Sequence, residues 1–177
     1  MRLGEGQKAI DFKAKDIFDD EITLENYKGK KLLLSFYRYA SCPLCNLRVN
    51  ELIQHASFFE EKGLEMLAVF QSPRDSILEY VGKQNAPFPI IADPDRVLYK
   101  LYGVETSVIG TLKALLRPGR FTDAMSKGFV PGKSDGDKTR IPADFIIDTD
   151  LNIVRAYYGK DIGDHMPIGM IMEFLNA

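Results

Sequence analysis

Apolar residues fall along the chain in runs whose spacing alternates between that of strands and that of helices. Residues 32–36 (LLLSF) follow the charged pair Lys30 and Lys31 and are nearly all apolar, as expected of a strand buried on both faces of a parallel sheet. Behind them Val49, Leu52, Ile53, Ala56 and Phe59 recur at helical spacing, and Gly63 stands where a left-handed cap stops the helix. Residues 64–70 form a second apolar run of strand length. Ser72-Pro73-Arg74-Asp75 then reads as a capping serine, a proline at the first helical position and an acidic first turn. Ile77, Leu78, Tyr80 and Val81 make the buried side of that helix. Residues 87–91 predict a short extended piece, and Asp93-Pro94 opens a further helix through Leu98 and Leu101 that ends at Tyr102-Gly103.

At the start of the chain, Ile10, Phe12 and Ala14 alternate with polar residues, Asp19-Asp20 marks a turn and residues 22–24 resume, which predicts a hairpin within 7–27. Towards the other end, residues 141–148 and 153–158 are two strand-like runs joined by a short turn, hence an antiparallel pair. A helix from Pro167 carries Met170, Ile171, Phe174 and Leu175 as its apolar side. Between these parts, residues 105–140 break the rhythm. Val108 to Leu116 predicts a short helix, after which Pro118-Gly119, Gly128, Pro131-Gly132 and Gly136 interrupt any regular element. This insertion is expected to pack near the active face or to serve an interface. Its basic residues Arg117, Arg120, Lys127, Lys133, Lys138 and Arg140 read as a solvated surface. The order β-α-β-α followed by β-β-α predicts an α/β domain over 1–177, with a mixed central sheet flanked by helices.

Composition narrows the function classes. An apolar content of 45% and a charged content of 27% suit a globular chain. A net charge of −2 argues against nucleic acid or an anionic membrane surface as partner. No apolar run approaches the roughly 18 residues of a membrane span. The first residues lack the apolar core of a secretion signal, so a reducing cytoplasm is the expected location. There, two cysteines alone point to catalysis or metal binding rather than to a disulfide framework.

Those cysteines, Cys42 and Cys45, are spaced C-x-x-C where the first strand hands over to the first helix. The first turn of a helix offers unpaired N–H groups and the positive end of the macrodipole, and both favour a thiolate over a thiol. A C-x-x-C pair so placed supplies a nucleophile at neutral pH, with a second thiol close enough to close a disulfide. Pro43 presets the helix start, and Arg38 is expected to set a fixed positive charge beside the sulfur. Tyr37 and Tyr39 read as ordinary aromatic packing, with one of them facing the site. His165 reads as a turn or capping residue. His55 and His165 leave a zinc site formally open, although His55 lies far along the same helix.

The C-x-x-C motif after a buried strand, with Ile141-Pro142 before a later strand, resembles the thioredoxin fold. GQKAIDF, ENYKGKKLLLSF, FPIIADPDRVLYKLYGV and IPADFIID further resemble the peroxiredoxin-like branch, the alkyl hydroperoxide reductase and thiol-specific antioxidant group. The resemblance covers most of the chain except the insertion. It implies that Cys42 is the attacking cysteine and Cys45 the resolving one, and that Pro142 is a cis-proline lying against them. It further implies peroxide reduction through a Cys42 sulfenic acid and a Cys42–Cys45 disulfide, recycled by a thioredoxin-like dithiol and needing no cofactor. Typical members carry proline and threonine or serine where this chain has Ser35 and Tyr39, and an arginine where it has Pro142, so Arg38 is expected to stand in for that arginine. Ile141, Pro142, Tyr39 and Ser41 are then the expected substrate contacts. Two other readings stay open: a protein disulfide reductase, and a thioredoxin-fold binding or redox-sensing module without turnover. A homodimer through an apolar face of the insertion is compatible with all three.

Overall fold

The computed structural model describes residues 1–115 and 118–177. Leu116 and Arg117, assigned above to a helix end and a basic surface, lie outside the described residues. Five strands form the central sheet in the order β5-β4-β3-β6-β7. β3 (Lys31–Phe36) is its middle strand, flanked by β4 (Leu64–Phe70) and β5 (Ile90–Ala92) on one side and by β6 (Ala143–Ile147) and β7 (Ile153–Tyr158) on the other. β4 and β5 run parallel to β3, whereas β6 is antiparallel to it and β7 to β6, so the sheet is mixed as its sequence pattern predicts. The hairpin in the first residues is also present, as β1 (Lys13–Lys15) and β2 (Glu21–Thr23), with Asp19 in the turn at φ 70°. Its strands are shorter than the alternation suggested. Residues 8 and 9 instead run beside residues 151 and 152, where the Ala9 amide donates to the Leu151 carbonyl at 2.9 Å.

Two apolar layers lie on opposite faces of the sheet. Side chains along β3 alternate between them: Leu33 joins one layer, and Leu32, Leu34 and Phe36 the other. The first layer packs against α1 (Pro43–Glu61) and α6 (Ile168–Asn176), the second against the N-terminal segment and α3 (Val97–Leu101). α1 stops at Lys62, and Gly63 takes the left-handed φ of 71° expected of it. α3 is capped by the Asp93 carboxylate, which accepts from the amides of Val97 at 2.9 Å and Leu98 at 2.8 Å.

Three sequence expectations change. α2 (Arg74–Glu79) is capped at Pro73, not at Ser72, and no side-chain hydrogen bond closes its start. The Ser72 hydroxyl is engaged elsewhere. The insertion holds a second helix, α5 (Pro118–Ser126), beyond α4 (Val108–Leu115): Pro118 begins a helix rather than breaking one, since the first turn needs no donor there. Phe121 and Ala124 of α5 turn inwards, and Phe121 packs on the layer that includes α1. Met170, placed above on the apolar side of the last helix, is 40% exposed because it falls on the outward face of α6. No helix among the described residues is long and apolar enough to cross a membrane.

One side chain fixes where the two parallel strands end. The Tyr99 hydroxyl, fully buried, donates towards the Tyr37 carbonyl at 2.7 Å and the Val69 carbonyl at 2.9 Å, while the Tyr37 amide donates to the same Val69 carbonyl. Tyr99→Phe removes this clamp and leaves buried acceptors short of a donor. A loss of about 1–2 kcal/mol of stability is expected, read as a lower urea midpoint at unchanged slope; an unmoved midpoint would show that the hydroxyl carries no weight.

Candidate active site

Beyond Phe36 the chain leaves the sheet through residues 37–42, and this loop is tied down at each end. Tyr37 is buried with its ring stacked on Phe70, the centroids 4.6 Å apart. The Gln71 amide donates to the Arg38 carbonyl at 3.2 Å, and the Ala40 amide donates to Ser72 Oγ at 2.7 Å. Asn46 Nδ2 reaches back from the first turn of α1 to the carbonyls of Ala40 (2.7 Å) and Cys42 (3.0 Å). Cys42 is therefore held as the N-cap of α1, with φ −69° and ψ 120°, and Pro43 occupies the first helical position.

Both cysteines are free thiols. Arg38, itself buried, donates from Nη1 to Cys42 Sγ at 3.4 Å and from Nη2 to the Lys138 carbonyl. Its guanidinium carbon Cζ lies 5.0 Å from the centre of the Tyr39 ring, and its Nε is buried without a hydrogen-bond partner. Burial by itself pushes the Cys42 thiol up. The hydrogen bond from the Cys45 thiol, the Arg38 charge and the Cys45 and Leu44 amides outweigh it and bring Cys42 down to about 6. No cap hydrogen bond of ordinary geometry forms to the sulfur, so the two amides act on it chiefly as the positive end of the helix. Cys45 moves the other way, well above the ordinary thiol value, through burial and the adjoining Cys42 sulfur. The pair is thus split into one thiolate and one thiol near neutral pH.

Neither sulfur meets solvent: Cys42 is 0% and Cys45 2% exposed. The last part of the insertion is bonded to the residues that flank Cys42. Ser41 Oγ donates to the Lys133 carbonyl at 2.7 Å, Gln71 Nε2 to the Asp137 carbonyl at 2.7 Å, and Ser72 Oγ to Asp135 Oδ1 at 2.5 Å. The insertion packs beside the loop that carries Cys42, and Lys133 and Lys138 contribute main-chain carbonyls to that contact.

Residues 5–156 match the model of the AhpC/TSA family. The chain belongs to the AhpC/TSA family. Among curated proteins it is 26% identical over 102 residues to a putative peroxiredoxin of Mycobacterium tuberculosis, a match covering 58% of this chain and 65% of that protein. It is 25% identical over 126 residues to a chloroplastic peroxiredoxin Q of Populus jackii, covering 71% and 57%. The matched part thus spans less than two thirds of these relatives. Of solved structures, a cysteine-to-serine mutant of Xylella fastidiosa PrxQ aligns over 99% of this chain and 95% of that one, at TM-score 0.71 and 19% identity. A putative thiol:disulfide interchange protein DsbE from Chlorobium tepidum aligns over 98% and 97%, at TM-score 0.67 and 17% identity. Both likenesses place the chain in the thioredoxin-like fold.

In this AhpC/TSA chain, Arg38, Tyr39, Ser41, Cys42 and Cys45 converge at the start of α1. Ile141 belongs to the same apolar layer as the cysteines, and Pro142 is buried at the head of β6. The Ile141–Pro142 bond is trans, not the cis bond implied by the resemblance. Trans is the lower-energy isomer, and the surrounding backbone accepts it: the Ile141 amide donates to the Glu105 carbonyl at 3.1 Å and the Gly159 amide to the Pro142 carbonyl at 2.9 Å. His165, read as a turn or capping residue, is buried two residues before the Pro167 cap of α6. Its buried ring sets Nδ1 3.1 Å from both Asp144 oxygens and lies 4.8 Å from the Tyr37 ring. Among the described residues, no group of three His, Cys, Asp or Glu side chains is arranged to hold a metal.

Sequence reasoning missed Asn46, Gln71, Ser72 and the carbonyls of the insertion. One signal for Gln71 and Ser72 was available, because neighbouring parallel strands bring their carboxyl ends to one edge of the sheet, where sites collect. Carbonyls of a coil segment leave no trace in side-chain type.

The thiolate absorbance of the reduced protein is expected to titrate with a midpoint at about 6. Arg38→Met, which removes a charge that favours the anion, should raise it by about one unit. The linked stability has the matching sign. Because the folded pKa is the lower one, the contribution of Cys42 is present above the ordinary thiol range and lost as pH falls towards 6.

Proposed function

We propose that the protein is a thiol peroxidase in which Cys42 attacks and Cys45 resolves. The observation that carries this reading is the buried guanidinium of Arg38 at 3.4 Å from a Cys42 sulfur kept anionic near neutral pH, with a protonated thiol one turn further along α1. Membership of the AhpC/TSA family and the peroxiredoxin relatives support the substrate class. The Cys42 thiolate attacks one peroxide oxygen; the S–O bond forms, the O–O bond breaks and the leaving oxygen departs as an alcohol or water after taking a proton. Arg38 holds the thiolate through Nη1 and offers its unpartnered Nε to the peroxide. Cys45 then attacks the sulfenic acid of Cys42, closing the disulfide and releasing water. A thioredoxin-like dithiol restores both thiols by exchange. Ser41 and Tyr39 frame the bound peroxide, Ile141 and Pro142 close the apolar side, and a reducing cytoplasm suits the cycle.

The C-x-x-C spacing favours a second reading, reduction of protein disulfides, while the full burial of Cys42 favours a small substrate. The α4 side chains Val108, Ile109 and Leu112 are 67%, 67% and 59% exposed on one face and supply the surface for a homodimer, whose mass should fall to that of a monomer in Ile109→Asp on analytical ultracentrifugation.

Stoichiometric hydrogen peroxide or an alkyl hydroperoxide is expected to convert the reduced chain to an intramolecular disulfide, seen by mass spectrometry as the loss of two hydrogens. Cys45→Ser should stop at a dimedone-reactive sulfenic acid, and Cys42→Ser should lose peroxide consumption entirely. Oxidation no faster than that of a free cysteine, alongside efficient reduction of insulin, would transfer the case to disulfide exchange.

A further inference from the structure

The segment 131–140 is a coil without regular secondary structure, yet it makes a repeated kind of contact. Three of its main-chain carbonyls, at Lys133, Asp137 and Lys138, point inwards, and each takes a hydrogen bond from a side chain at the edge of the Cys42 site: Ser41, Gln71 and Arg38 respectively. Arg38 and Ser41 come from the loop between β3 and α1 and Gln71 from the residue after β4, and Arg38 itself contacts the sulfur. A carbonyl oxygen is the kind of acceptor that a substrate oxygen offers them. Arg38 shows the competition most directly, because one of its amino groups faces the sulfur and the other is spent on Lys138.

The closed arrangement is tight but not fully satisfied. Gly136 lies so close that an added Cβ would stand 2.7 Å from Gln71 Cγ, and one at Gly132 would stand 2.5 Å from the Tyr80 hydroxyl oxygen. At the same time Arg38 Nε, Gln71 Oε1 and Asp135 Oδ2 are buried there without partners, a desolvation cost that works against closure. Next to the leading end of the segment is a cavity of about 550 Å³ bordered by Tyr80, Gln84, Phe129, Val130 and Gly132. Val130 is 61% exposed, so the chain leading into the segment is packed on one side only. Such a segment belongs to the low-stability part of a fold, where local opening precedes global unfolding.

We propose that residues 131–140 set the size limit for whatever reacts at Cys42: the strap stands in for the substrate in the closed protein, a small peroxide needs only a local yielding of it, and a bulky reactant needs the whole strap to lift. This inference rests on Cys42 being the reactive thiolate, but it is separable from peroxide chemistry. Reactivity at Cys42 is then the intrinsic reactivity multiplied by the fraction of molecules open widely enough for the reagent.

The test is alkylation of the reduced protein at neutral pH, with the modified cysteine located by peptide mapping. Iodoacetamide serves as the small reagent and fluorescein maleimide as the bulky one, each rate normalised to that of a free thiol of matched pKa. In the native protein the normalised rate for the bulky reagent is expected to be lower by on the order of tenfold or more. Asp135→Ala removes the bond to Ser72 from the strap side, and Gly136→Ala forces the strap off Gln71. Either should raise the bulky rate by on the order of tenfold, as expected of losing one strong hydrogen bond, and narrow the gap between reagents. Asp135→Asn keeps an Oδ1 acceptor for the Ser72 hydroxyl and serves as the control whose ratio stays close to native, with circular dichroism as the check of folding. A native Cys42 that meets both reagents at free-thiol rates would overturn the proposal, as would folded Asp135→Ala and Gly136→Ala proteins whose ratio does not move. Because no peroxide is used, a size-selective Cys42 in a protein that consumes no peroxide would sink the peroxidase reading alone.

Discussion

The site depends on one buried charge pair, the Arg38 guanidinium against the Cys42 sulfur. An arginine taken out of water is costly unless an anion and good acceptors meet it. Here the anion is the thiolate and one further acceptor is the Lys138 carbonyl. The same pairing that makes the buried arginine tolerable keeps the sulfur ionised. Removing either partner takes from the other its opposite charge in a buried site, so the two residues are coupled in stability as well as in the proposed chemistry.

The sheet makes that pair possible. β3 and β4 are parallel and end side by side, which delivers Arg38 from one strand and Gln71 and Ser72 from the next to the same edge. Tyr99, held from the opposite layer, clamps both strand ends through the carbonyls of Tyr37 and Val69. α1 starts at the edge so prepared, and Asn46 ties its first turn back to the loop that precedes it. The position of Cys42 is thus fixed by the side chains of Tyr99, Ser72 and Asn46, which hold main-chain groups of the loop from three separate segments, and the C-x-x-C spacing then places Cys45 within reach of it.

The insertion adds a second constraint by converting an exposed helix start into a closed pocket. Its helix α5 packs against the layer that includes α1, and its coil is bonded to Arg38 and Ser41 beside Cys42 before entering β6. Closure lowers the local dielectric, which strengthens the pull of Arg38 on the sulfur while adding to the desolvation cost of the thiolate. The directions found for Cys42 and Cys45 are the outcome of that balance: the Cys45 hydrogen bond, the Arg38 charge and the helix-start amides outweigh burial and lower Cys42, while burial and the Cys42 sulfur raise Cys45.

The continuous apolar runs of β3 and β4, the helical spacing behind Cys45, the left-handed glycine at 63 and the paired strands at the end of the chain were legible because each is a local property of side-chain type and period. The C-x-x-C motif and the nearby Arg38 were legible for the same reason, since a helix start and a charge four residues away act over one or two turns. What tertiary structure decided was contact between distant segments: Ser72 turned from a helix cap into a support for the Ala40 amide, His165 buried against Asp144, a trans bond at Pro142, and a coil bonded to Arg38, Ser41, Gln71 and Ser72. These depend on main-chain groups and on competition among partners far apart in the chain. Side-chain sequence leaves such choices open because every residue carries the same carbonyl, and only packing determines which one reaches the site.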